Sequence, residues 1–211
     1  EMNVLVIKAN NRPDGISTRM YETFMDTIKD AKNLEVVTYD LFNEDMPYLG
    51  QELFDAFGKL QTGVELNDYE KRLLAAKEKA KDLTSAADVI VLAFPLWNFT
   101  PPARLHTYID YISEAGFSFK YSPEGDLIHM LQDKKAIVLC AKGGIYSTPE
   151  RTALDMTVSY IRNLFTGMFG IDIVEEVVIE GHNAFPDKAE EIIEKGLQEV
   201  KAAASKLLEN N

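Results

Sequence analysis

Three short stretches of this 211-residue chain carry the residue types from which a binding site can be built. The first is Asn10-Asn11-Arg12-Pro13-Asp14-Gly15-Ile16-Ser17-Thr18. Asn, Ser and Thr offer neutral donors, and Gly15 lets a backbone come close to a ligand. If a helix follows, its first N–H groups point back at the loop, which makes a ready anion site. The same residues also read as an ordinary turn with an N-cap at Ser17. The second stretch, Pro95-Leu96-Trp97-Asn98-Phe99-Thr100-Pro101-Pro102, holds the only tryptophan beside a phenylalanine. A flat heteroaromatic ligand wants apolar faces against it and a few fixed polar groups at its edge. Trp97 and Phe99 supply the faces; Asn98 and the backbone amides supply the edge. Core packing explains one aromatic there, but explains an Asn between two aromatics poorly. The third stretch is Ala141-Lys142-Gly143-Gly144-Ile145-Tyr146-Ser147. Its paired glycines let backbone N–H groups meet a ligand edge, and Lys142 brings positive charge to a ring that becomes anionic on reduction. Alone, this stretch reads as a flexible turn.

Other chemistries find little support. No Gly-x-Gly-x-x-Gly follows the first apolar run, and no Gly-x-x-x-x-Gly-Lys-Ser/Thr occurs, which disfavours dinucleotide and P-loop sites. A phosphate held by hydroxyls and backbone amides suits a mononucleotide such as FMN. His106, His129 and His182 have no metal-ligand spacing, and one cysteine cannot make a zinc site, so no metal is expected. Gly-x-Ser-x-Gly is absent, against an α/β-hydrolase. Cys140 lies in an apolar run and reads as a buried structural thiol. His182 follows the last such run and is placed to reach a site at the strand ends.

The elements that must position these stretches are legible from hydrophobic pattern. Residues 4–9, 88–94, 135–141 and 171–180 are short runs rich in Val, Ile and Leu, closed by Gly, Pro or Asn. Such runs fit parallel strands covered on both faces. Residues 34–39 are a weaker fifth candidate. Helical spacing fills the gaps at 17–32, 66–83, 101–112, 151–168 and 187–208, with Asn67 or Asp68 as a cap for the second. Strand–helix alternation repeated five times predicts a doubly wound α/β sheet in one domain, 1–211. Ligands bind such sheets beyond the carboxyl ends of the strands, where all three stretches fall. Two segments break the rhythm: 42–63, with a possible short helix near 52–57, and 116–132, with Phe117, Phe119 and Tyr121 in alternation before a Ser-Pro-Glu-Gly turn.

Composition narrows the partners. Twenty-two basic against thirty-four acidic residues give a net charge of −12, which disfavours nucleic acid and anionic membrane surfaces. No stretch approaches a membrane span. The apolar run Val4 to Ile7 lacks a basic leader and a cleavage site, so no secretory signal is expected. A lone cysteine fits a reducing compartment, and the expected address is cytoplasmic.

Several segments carry a family resemblance: Lys8-Ala9-Asn10-Asn11-Arg12-Pro13, Phe94-Pro95-Leu96-Trp97-Asn98-Phe99, Gly116-Phe117-Ser118-Phe119-Lys120-Tyr121, Lys142-Gly143-Gly144, and Val178 through Lys188. In this order the chain resembles FMN-dependent NADH-azoreductases, which are flavodoxin-like quinone reductases. The resemblance implies a flavodoxin-like, five-stranded parallel sheet with helices on both faces. It implies a homodimer with one FMN per subunit and a site completed across the interface. NADH or NADPH would reduce the flavin and leave, and a quinone or azo compound would then take the electrons, a ping-pong sequence. Carried over by position, Asn10, Gly15, Ile16, Ser17 and Thr18 would surround the phosphate. Pro95, Leu96, Trp97, Asn98 and Phe99 would lie along the ring, and Ala141, Lys142, Gly143 and Gly144 would border its pyrimidine edge. Tyr121 and Phe165 would be walls of the substrate pocket. The flavin carries the redox chemistry, so no catalytic acid–base triad is required. The family often has a serine where Asn10 stands, Arg at Lys142 and Tyr at Trp97. A flavodoxin-type electron carrier shares the fold and FMN. A receiver-like regulatory domain shares the α/β architecture but needs an acidic cluster at the strand ends, for which Asp40 and Asp88 are poorly placed. A cofactor-free interaction module is the remaining alternative. The long 116–132 excursion and the bulky loop aromatics favour a small-molecule pocket over the carrier.

Overall fold

The structure is a computed structural model and describes residues 1–209. Its centre is a parallel sheet of β1 (Met2–Lys8), β2 (Leu34–Asp40), β3 (Val89–Pro95), β6 (Lys135–Lys142) and β7 (Asp172–Glu180). The order is β2-β1-β3-β6-β7, so the winding direction reverses between β1 and β3. The three central strands are apolar along their middles because both their faces are covered there; Val89 to Phe94 is buried without a break. The two edges differ. In β2, Glu35 and Thr38 are exposed, and β7 alternates, carrying Asp172 and Glu176 outward. Charge on an edge strand blocks further strand pairing.

Two helical layers close the sheet. α1 (Ile16–Ile28) and α6 (Ala189–Glu209) cover one face, where Met20 and Phe24 join Ile193, Leu197 and Val200 in one cluster with Val4, Val6 and Val91. On the other face lie α3 (Asp68–Ala86), α4 (Ala103–Ile112) and α5 (Val158–Ile161), packed around Leu73, Leu105, Tyr108, Ile161 and Phe165. Asn67 caps α3 in a reciprocal pair with Glu70, so the Asn67 alternative holds for the cap. α2 (Gln51–Thr62) occupies the long connection after β2 and is twice the length expected there. Gly63, at φ +73°, ends it in the left-handed conformation.

Two expected elements differ from the pattern. The helix predicted over 151–168 is broken into a 3₁₀ turn at Thr152–Leu154, α5, and a π-helical turn at Arg162–Thr166. The interruption has a local cause: the Asp155 carboxylate accepts both the Thr157 N–H and its hydroxyl, which competes with helical bonding. The 116–132 excursion is an antiparallel hairpin of β4 (Phe119–Tyr121) and β5 (Leu127–His129). The Ser-Pro-Glu-Gly turn closes it, with Gly125 at φ +89°.

Candidate functional site

The carboxyl ends of β1, β3 and β6 converge at the reversal in strand order, and a cleft of about 360 Å³ opens there. Its first wall is the β1–α1 loop. Asn10 is buried, its amide donating to Ala93 O at 3.2 Å. The Thr18 hydroxyl faces two acceptors, Asn10 Oδ1 and Arg12 O, both at 2.7 Å. These bonds shape the loop. The helix cap is Gly15, which has no side-chain acceptor to offer. The first-turn N–H groups of α1 therefore keep no capping partner and face the cleft beside Ser17 and Ile16. A side chain at Gly15 would press on Arg12 at 3.2 Å. Arg12 and Asp14 stand at the mouth, 4.0 Å apart and largely exposed, so their pairing adds little.

The second wall comes from the loop after β3. Leu96 N–H donates to Ala141 O at 2.9 Å and ties this loop to β6. Trp97 and Thr100 then exchange backbone hydrogen bonds at 2.9 and 3.2 Å around a two-residue turn. Asn98 and Phe99 sit at φ +53° and +70°, the primed turn geometry that asparagine tolerates and phenylalanine does not. This explains the asparagine between two aromatics: it is the turn residue. Phe99 is held in strain by Met156 N–H, which donates to its carbonyl at 2.8 Å, and by an edge contact with Tyr146. Strain of this kind at a cleft rim is a mark of function.

The third wall is the end of β6 with the turn after β7. Asn183 N–H donates to Gly143 O at 3.0 Å, and Gly181 N–H to Gly144 O at 3.1 Å. A Cβ on Gly143 would lie 2.2 Å from Asn183 Nδ2, so a side chain there would displace Asn183 from its docked position. Gly143→Ala should therefore open the β7 turn and raise amide exchange at Asn183, a change that hydrogen-exchange mass spectrometry resolves. His182, Asn183, Ala189 and Ile193 complete the cleft.

The cleft thus gathers Asn10, Gly15, Ile16 and Ser17 with Pro95, Leu96, Trp97, Ala141 and Gly143, all singled out in the sequence. Thr18, Asn98, Phe99, Lys142 and Gly144 stand behind or beside its wall. Lys142 departs furthest from expectation. Its ammonium turns inward and pairs with Asp155, both side chains being nearly buried, so its charge is spent inside the protein and not presented to the cleft. Burial works to raise the Asp155 carboxyl, but hydrogen bonds from Lys142 and Thr157 and the charge of Lys142 outweigh it and hold the group below its ordinary value. Phe165 is another correction: the π-helical turn points its ring into the core against Phe169, fully buried. Tyr121 is 61% exposed on the hairpin, outside the cleft.

Sequence reasoning passed over Arg12 and Asp14 as site residues, although they lie in the first loop. Asn183 lies in the resemblance segment but was given no role there; the docking of its turn on Gly143 brings it to the cleft. Ala189 and Ile193 gave no local signal, because only the packing of α6 on α1 brings them there. The histidines separate cleanly. His106 Nε2 bonds Thr100 Oγ1 at 2.8 Å, and His129 Nδ1 bonds Met168 O at 2.9 Å. His182 Nδ1 is buried in the cleft wall with no partner among the described residues. Cys140 is inert, its thiol pushed up to about 12 by burial. No cluster of metal-ligating side chains occurs among the described residues.

A capless helix N-terminus, an aliphatic and indole wall, and backbone amides at a strand-order reversal form a site for a phosphorylated flat heteroaromatic. FMN fits this donor set. A family with a flavodoxin-like fold matches residues 2–204. FMN-dependent NADH:quinone oxidoreductase 3 of Bacillus cereus is 45% identical over 206 residues, covering 96% of this chain and 98% of that protein. FMN-dependent NADH:quinone oxidoreductase 1 of Bacillus subtilis is 44% identical, with the same coverage. Among solved structures, an azoreductase from Bacillus anthracis superposes with a TM-score of 0.87 at 44% identity, over 98% of this chain and all of that one.

Proposed function

The chain belongs to the flavodoxin-like family, and on that premise we propose that it is an FMN-dependent NADH:quinone oxidoreductase that also reduces azo compounds. The observation that carries this reading is the single cleft joining an uncapped helix N-terminus to the Trp97 wall at the β1/β3 reversal. The whole chain acts as one FMN-binding domain. When bound, FMN would supply the two-electron redox chemistry that links NADH (or NADPH) oxidation to reduction of a quinone or azo acceptor, which fits a ping-pong sequence.

The chain's own residues bind and orient. Ser17 and the first-turn N–H groups of α1 hold the phosphate. Pro95, Leu96 and Trp97 give the ring an apolar wall, with Asn98 and Phe99 fixing the loop that carries it. Ala141 and Gly143 border the pyrimidine edge through backbone groups, with Lys142 and Gly144 holding that backbone in place. Relatives named for this activity at 44–45% identity support the enzyme over a flavodoxin-type carrier. The purified protein is expected to show flavin absorption that NADH bleaches within a stopped-flow mixing experiment and a quinone restores. A colourless protein that takes up no FMN would sink the proposal; slow or absent reduction by NADH would favour the carrier.

The working unit is a homodimer. Phe54, Phe57 and Leu60 recur at i, i+3 spacing on α2 and are 38–64% exposed. A shallow groove of about 620 Å³ beside the strained turn is lined by Met156, Tyr160, Leu164 and Met168. These exposed apolar side chains support the dimer reading, and Tyr121 extends from the hairpin toward solvent. Light scattering at micromolar concentration is expected to give about twice the 23.7 kDa chain mass. A monomer that still turns over quinone would remove the interface from the site. No helix among the described residues is long and apolar enough to cross a membrane; the acidic charge, the lone buried thiol and the chemistry fit the cytoplasm.

Trp97, the only tryptophan, gives a signal with one source. It is half-buried, with an edge contact to Phe42. Its fluorescence is expected to be strongly quenched with FMN bound and to recover when FMN is stripped. Emission independent of FMN would move Trp97 from the ring wall to the scaffold.

A further inference from the structure

His182 is carried on a rigid turn, yet its ring is left unsatisfied. The turn follows β7, with Gly181 at φ +85°. Gly181 N–H donates to the carbonyls of Lys142 and Gly144 at 3.2 and 3.1 Å, and Phe185 N–H returns to Gly181 O at 2.9 Å. The backbone on both sides of His182 is therefore latched to the end of β6. Its Nδ1 is shielded within the cleft wall and has no hydrogen-bond partner among the described residues. Other buried polar side chains are paired: Asn10 with Ala93 O, Thr84 with Tyr108, and Lys77 with Tyr111 O. A shielded, unpaired nitrogen lowers the stability of the free protein and asks for a ligand atom.

The layering of the fold says which part of a ligand it meets. α1 and α6 cover the same face of the sheet. His182 lines one cleft with Ala189 and Ile193 of α6 and with Ser17 at the start of α1, and α1 and α6 pack against each other. The aromatic turn leans to the other face, where Phe99 packs on Tyr146 and is held by Met156. His182 thus lines the same cleft as the free helix start at Ser17, between the end of β6 and the α1/α6 side.

We propose that His182 is a ligand of the cofactor's phosphate, its Nδ1–H donating to a phosphate oxygen and so setting the preference for FMN over unphosphorylated flavin. This rests on the FMN reading above. In the free protein burial holds the imidazole below its usual pKa, so the ring that receives the cofactor is neutral at pH 7. It then carries one proton on one nitrogen, and a phosphate oxygen selects the tautomer with that proton on Nδ1. Unlike the exposed Arg12, such a donor works from inside the wall, where water screens it least.

The test compares wild type, His182→Leu and His182→Gln for affinity to FMN and to riboflavin, read by flavin fluorescence quenching, with the melting temperature of each apo-protein. His182→Leu is expected to lose on the order of tenfold to a hundredfold in FMN affinity, the range for a hydrogen bond to a charged group. Riboflavin affinity should move less than twofold, and the apo-protein should melt at the same or a higher temperature because the unpaired nitrogen is gone. His182→Gln, which keeps a donor, should lose less. Unchanged FMN affinity overturns the proposal. So does an equal loss for both flavins, which would place the ring elsewhere, or a fall in apo stability, which would make His182 a packing residue. These outcomes leave FMN binding itself standing; a wild type that takes up no flavin overturns both readings.

Discussion

Lys142→Met should destabilise the protein by about 3–5 kcal/mol, the usual result of breaking a buried ion pair by removing one partner. The Asp155 carboxylate would remain buried without its strongest donor, keeping only Thr157. The pH dependence has a definite sign. In the wild type the folded pKa of Asp155 is depressed. Its contribution to stability is therefore present above the unfolded value of about 3.9 and is lost as pH falls through the folded value. In Lys142→Met the same carboxyl is dominated by burial, which raises it, so the variant's deficit should shrink as pH is lowered toward about 5. Urea unfolding at pH 7.5 and pH 5 measures both effects. Lys142→Met/Asp155→Asn should recover most of the loss, because no buried charge is left and Thr157 keeps an acceptor. A single variant as stable as wild type would mean that the pair is solvated in solution. The consequence reaches the cleft rim: Met156, next in sequence to Asp155, holds the strained Phe99 carbonyl.

Ser17→Asp is expected to weaken FMN binding at least a hundredfold. The residue is buried in the first turn of α1, and a carboxylate there would sit against the cofactor's phosphate. Two negative charges at about 4 Å repel by about 4 kcal/mol at an effective dielectric of 20, before the lost hydroxyl donor is counted. The same carboxylate also favours the helix N-terminus, so the apo-protein should stay folded and the loss is confined to the cofactor. Ser17→Ala separates the two contributions and should cost about tenfold, the worth of the hydroxyl. Equilibrium titration with FMN, alongside circular dichroism of the apo forms, checks this. Full affinity in Ser17→Asp would remove the phosphate from the α1 terminus.

Much of this protein is local physics and was legible from residue order. The runs around Val4, Val89 and Lys135 had to be strands covered on both faces, because a continuous apolar run has no polar side to show water. Those strands with helices between them leave few topologies open, and the loops after β1, β3 and β6 had to end on the same side. The boundaries moved where local chemistry competed: α4 begins at Ala103 because Pro101 and Pro102 cannot sit deeper in a helix, and Asp155 broke the element predicted from 151.

What only the tertiary structure decided is where side chains point and which partners they find. Lys142 reads as a cation at a ligand edge until Asp155, thirteen residues on, is folded beneath it. Phe165 reads as a wall until a π-helical turn rotates its ring onto Phe169. Why an asparagine stands at position 98 is plain only once the Trp97–Thr100 turn shows a backbone that needs φ > 0 there. Ala189 and Ile193 belong to the cleft only because α6 packs beside α1. His182 could be placed near the strand ends from sequence, but only the structure shows its Nδ1 shielded in the cleft wall with no partner among the described residues. Periodicity and turn chemistry act over a few residues and are written in the chain. Pairing and shielding act across distances that folding alone closes, so the placement of a site's charges and donors is settled last.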